Sequence, residues 1–99
     1  MTQPDDSQRG SGRTSQQMLQ APVGAVYIWC NDNLRYPRGL ARKLHRDDLK
    51  VVPMGWLENE RWRGIELSGI VVDHAIRLTG NQSYCLEGAM TRVRGGAEA

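Results

Sequence analysis

Ala25-Val-Tyr-Ile-Trp-Cys30 is apolar at every position and rich in β-branched and aromatic side chains. A strand with one wet face alternates in polarity. A strand without polar positions is covered on both faces, as at the centre of a parallel sheet. Asn31-Asp-Asn33 then ends the run with residues whose side chains turn the backbone. Working outward, Tyr36 to Arg46 carries a helical period. Pro37, Leu40, Ala41 and Leu44 fall at i, i+3, i+4 and i+7, leaving Arg38, Arg42, Lys43 and His45 on other faces. Pro37 suits the first helical position, where its missing N–H costs nothing. Gly39 costs about 1 kcal/mol relative to Ala inside a helix, which suggests close packing there. Leu49 to Pro53 reads as a second strand, at an edge because Pro53 lacks a donor. Gly55 to Glu60 reads as one helical turn, Arg61 to Gly64 as a tight loop, and Gly69 to His74 as the third strand. Thr79 and Gln82 form a capping box ahead of the stripe Leu86, Ala89, Met90 and Val93. Arg92 and Arg94 suit the negative end of that helix, and Gly95 its C-terminal cap.

This order predicts an α/β fold: a small three-layer Rossmann-like or RecA-like domain with a three-stranded parallel sheet. Strand one or three lies in the middle, crossovers are right-handed, and helices cover both faces. The domain is expected over residues 21–95, behind a disordered tail at 1–20 that is too polar to offset its ordering entropy. Residues 96–99 are expected to fray. So small a domain buries only about 60% of its unfolded surface, which leaves room for a partner or a homo-oligomer. The N-terminus lacks the basic start and apolar core of a signal peptide, and the longest apolar run is too short for a bilayer. Cys30 and Cys85 have neither CxxC spacing nor a His cluster. Both are expected as buried free thiols in a reducing compartment, in a cytoplasmic protein without a membrane partner.

Arg63-Gly64, the alternating Ile65-Glu-Leu67, Ile70-Val-Val-Asp-His-Ala75 and Leu78-Thr79 resemble the Walker B half of RecA-like domains of the helicase and terminase type. Val26 to Val52 is similar to the strand–helix–strand that precedes Walker B. The resemblance implies a fold and a carry-over of Asp73 alone. Asn31-Asp-Asn-Leu-Arg-Tyr-Pro37 stands where GxxxxGK[ST] belongs, so no Lys or hydroxyl is placed for phosphates and Mg²⁺. His74 stands at the place of the catalytic Glu. A P-loop ATPase is therefore not expected, and no cofactor is implied. Small phage-type α/β domains have the same stripped-down look.

Two constellations carry possible chemistry. In open parallel sheets, ligands bind beyond the carboxyl ends of the strands, where Asp32, Asp73 and His74 would fall. Carboxylates with an imidazole there suit a metal-dependent hydrolase or nuclease; the structural alternative is turn capping with an exposed His74. The second is charge. Net charge is only +2, but Arg35, Arg38, Arg42, Lys43 and Arg46 follow one another with no intervening acid. Such a helix face pairs with phosphates or carboxylates, and the preference for Arg, eleven against two Lys, matches forked recognition. Arg61 and Arg63 flank Trp62, an arrangement suited to stacking on a base or clamping an acidic groove. Trp56 and Trp62 are candidate interface anchors or lids on the core. The expectation is a non-catalytic binding module whose Arg-rich helix and Trp-containing loop contact an acidic protein or nucleic acid.

Overall fold

A computed structural model describes residues 12–93. Its central strand, β1 (Val26–Trp29), runs parallel to β2 (Lys50–Pro53) on one side and to β3 (Ile70–Val72) on the other. Tyr27 stands opposite Val51 and Val71, and Trp29 opposite Pro53. The parallel sheet and its central first strand are as expected. The helices are α1 (Gly12–Gln20), α2 (Arg35–Lys43), α3 (Met54–Glu58) and α4 (Gly80–Met90).

Successive side chains of β1 point to opposite faces, and each face has its own core. Ala25 and Tyr27 pack with Met18 of α1, Ala41 of α2, Leu49 and Val51. Val26 and Ile28 pack with Leu57 of α3, Trp62, Leu67, and Cys85 and Ala89 of α4. Three layers result. The capping box forms as read: Gln82 N donates to Thr79 Oγ1 (3.1 Å) and Thr79 N to Gln82 Oε1 (3.0 Å).

Several expectations are corrected. Residues 12–20, assigned to a disordered tail, form α1, because Met18 is fully buried and Thr14 nearly so; residues 1–11 lie outside the described region. Helix α2 begins at Arg35, two residues before Pro37, which sits in the first turn where N–H groups have no helical partner anyway. It stops at Lys43, and His45 adopts φ +61°. His45 N donates to Arg42 O and Arg46 N to Ala41 O, the paired bonds of a Schellman turn with His in the place usually taken by Gly. Helix α4 ends before Val93, which instead bridges to Leu67. Cys85 is buried but Cys30 is exposed. Gly39 is not a packing contact: a Cβ there would meet open space. Gly88 is a tight position, since a Cβ would lie 2.8 Å from the Trp62 ring. Arg94, Gly95 and residues 96–99 lie outside the described region.

Candidate functional site

The carboxyl edge of the sheet does not assemble the Asp32–Asp73–His74 set. Asp73 is 1% exposed and its side chain turns beneath α1. The hydroxyls of Thr14 (3.0 Å) and Tyr27 (2.5 Å) donate to its Oδ1, and Ala75 N donates to Oδ2 (3.1 Å). Gln17 of α1 completes the connection, donating to Val72 O and accepting from His74 N. In an α/β sheet of order β2-β1-β3 the winding reverses beside β1, and that crevice usually receives a ligand. Here Thr14 of α1 reaches Asp73 from above, beside Tyr27 of β1 and the backbone of Ala75. Asp32 is exposed on the loop after β1, and no three His, Cys, Asp or Glu side chains converge as a metal site among the described residues. The metal-centred reading is thus corrected, because Asp73 spends its oxygens on three internal donors. Thr14 Oγ1 also lies 3.3 Å from His74 Nε2, but its proton goes to Asp73 and the residue is 3% exposed. It is a structural hydroxyl. Burial pushes the Tyr27 hydroxyl well above its ordinary pKa, and the bond to Asp73 adds to the shift.

The basic cluster divides into two groups. Arg46 belongs to the scaffold. Beyond the end of α2, its guanidinium donates to the carbonyls of Met18 (2.5 Å), Leu19 (3.3 Å), Ala21 (3.0 Å) and Pro22 (3.2 Å). It also pairs through two nitrogens with Asp48, whose other bond comes from Gly24 N. Arg46 holds the Asp48 carboxyl far below its usual range, with the Gly24 N–H assisting. Its assignment to a binding ridge is corrected: the Schellman turn redirects it toward the carbonyls at the end of α1 and just beyond it.

Arg35, Arg38, Arg42 and Lys43 are different. All four are exposed, and among the described residues none forms an ion pair. At roughly 100° per residue, they share one side of α2 with Gly39, opposite the buried Pro37 and Ala41. Arg35, Arg38, Gly39 and Arg42 line an open cleft of about 500 Å³ with Leu34 and Asp32. A second groove, about 570 Å³, continues from Arg38 and Arg42 across to Lys50 and Val52 on the β2 edge. The Asx turns before the helix set its entry angle: Asn33 N donates to Asn31 Oδ1 and Arg35 N to Asn33 Oδ1.

The Arg61–Trp62–Arg63 clamp does not form. Trp62 is 5% exposed, its Nε1 donates to Leu57 O (3.1 Å), and its ring lies against Gly88. Arg63 pairs with Glu60 and rests over the outer face of the indole at 5.2 Å. Arg61 points outward, lining a shallow cleft with Trp56. This segment packs on the opposite face of the sheet from α2. The Arg-rich helix and the Trp-containing loop therefore do not make one surface.

Tyr36 stands about 100° or more around α2 from Arg35, Arg38 and Arg42. This residue is 51% exposed on α2, and its ring lies 5.8 Å from that of Trp29. Compared with known proteins, the chain matches no family model, no curated protein and no solved structure. No helix of the described residues is long and apolar enough to cross a membrane.

Proposed function

We propose that this protein is a non-catalytic binding module that holds a polyanion on the exposed face of α2. One observation carries the reading: Arg35, Arg38 and Arg42 line a single cleft around Gly39 with no internal counter-charge except the lone Asp32. Like charges at i, i+4 repel by roughly 0.2–0.5 kcal/mol per pair. Gly39 adds about 1 kcal/mol of helix cost while packing against nothing. Neither feature serves the fold. Both suit a partner that brings negative charge close to the helix backbone.

Arg38→Glu with Arg42→Glu tests the reading. Both side chains are exposed, so the melting temperature should stay within a few degrees of wild type. Affinity for heparin, as a generic polyanion, should fall by about tenfold or more at low salt, and added salt should weaken the wild type in the same direction. Unchanged affinity in a folded double variant refutes the proposal.

A further inference from the structure

The two edges of the sheet are finished differently. At the outer edge of β3, the Gln17 side-chain amide donates to Val72 O and accepts from His74 N, covering the carboxyl end of that strand as a neighbouring strand would. Nothing comparable meets β2 among the described residues. Lys50 stands opposite Val26 in a parallel ladder, and its N–H donates to Ala25 O. Backbone groups alternate in direction along a strand, so Lys50 and Val52 turn theirs to β1 and Val51 turns its N–H and C=O outward. Neither Val51 group has a protein partner among the described residues. Val51 is 6% exposed and lies on the floor of the groove between α2 and β2. A backbone pair so far removed from water is costly to leave unmade.

We infer that β2 takes up an extended acidic segment of a partner protein as a fourth strand, which pairs with Val51 while its acids reach Arg38 and Arg42. The inference rests on the reading of α2 as an anion-binding face. Strand addition draws affinity from main-chain hydrogen bonds and specificity from alternate side chains. Val51 packs with Ala41 of α2, so every second side chain of the added strand stands on the α2 side of the sheet. Those side chains repeat about every 7 Å, and Arg38 and Arg42 are about 6 Å apart along the helix. Acids at alternate positions therefore meet both. Arg46 also lines the groove but is committed to carbonyls and Asp48, which leaves Arg38, Arg42 and Lys50 against Asp47. Pro53 brings no N–H to the ladder and keeps the docked segment short. A second copy of this chain would set one basic groove against another. A nucleic acid would lay its phosphates on the apolar floor of Ala41, Leu49 and Val51.

The test is fluorescence anisotropy of the full chain with a short labelled peptide that alternates Glu and Thr. Its comparisons are the same composition with the glutamates in one block, the alternating peptide N-methylated throughout, and an oligothymidylate of equal charge. Wild type should prefer the alternating peptide. N-methylation keeps the charges and removes every backbone donor, and should cost about tenfold or more in affinity. Hydrogen exchange at the Val51 amide, followed by NMR, should slow by about tenfold or more at saturating peptide. Lys50 and Val52, already paired to β1, should change less. Arg38→Glu with Arg42→Glu should weaken the alternating peptide and flatten its dependence on salt. Equal affinity for the alternating, blocked and N-methylated peptides, or a Val51 amide left unprotected at saturation, overturns this inference and leaves anion binding standing. Preference for oligothymidylate does the same, as does a folded arginine variant that loses heparin but holds the peptide like wild type. Failure of every polyanion to bind, heparin included, removes both.

Discussion

Tyr27 and Asp73 show what a buried polar pair demands. Tyr27 is fully buried in β1, yet its hydroxyl finds the Asp73 carboxylate at 2.5 Å, and Thr14 shares the same oxygen. A buried hydroxyl without a partner costs roughly 1–3 kcal/mol, so each of the three needs the others. The linkage has a definite sign. The folded protein holds the Tyr27 phenol protonated well above pH 10, whereas the unfolded chain releases that proton from about pH 10. The stabilisation is complete below about pH 10 and is lost as pH rises further, by about 1.4 kcal/mol per pH unit for one proton. Urea unfolding from about pH 8 to about pH 11 should show this alkaline decline in wild type. Tyr27→Phe should be less stable at neutral pH but show a shallower decline. An equal slope in both would mean that another group governs the alkaline limb.

Helix α1 illustrates how an element of weak local preference is held by the rest of the fold. Nine residues, mostly polar, are too few for an isolated helix in water. Met18 anchors it in the core, Thr14 and Gln17 fasten it to the end of β3, and Arg46 donates to its last carbonyls. Arg46→Ala should therefore act on α1, costing about 1–3 kcal/mol and accelerating amide exchange over residues 12–20 relative to β1. Polyanion affinity should change far less than with Arg38→Glu and Arg42→Glu. The reverse result, weaker binding with α1 still protected, would return Arg46 to the binding face.

For the molecule as a whole, the sheet carries one core on each face, and the second depends heavily on Trp62. The indole fills the space over Gly88 and its N–H joins Glu60 N in donating to Leu57 O, so truncation leaves a large cavity and removes one of that carbonyl's two donors. Trp62→Ala should cost about 3–5 kcal/mol, a large part of the stability of a domain this small. Thermal melts followed by circular dichroism would show it. A Trp62→Ala protein with wild-type stability but impaired binding would mean that the indole serves a partner.

The sequence by itself determined the architecture and the capping. An apolar β1, an edge strand closed by Pro53 and the Thr79–Gln82 box depend on local periodicity and short-range hydrogen bonds, which are written in consecutive residues. Charge was legible only as density: five cations between Arg35 and Arg46. Tertiary structure decided which of them are available, because His45 turns the chain and presents Arg46 to carbonyls some 25 residues away. It also decided that residues 12–20 fold and that Asp73 faces α1, through bonds spanning more than fifty residues. Trp62 and Tyr36 differ in the same way. Both are aromatic residues beside arginine, and only the space above Gly88 and the support from Trp29 place one ring in the core and leave the other half open to solvent. Burial is set by what arrives from elsewhere in the chain, and no local pattern specifies it.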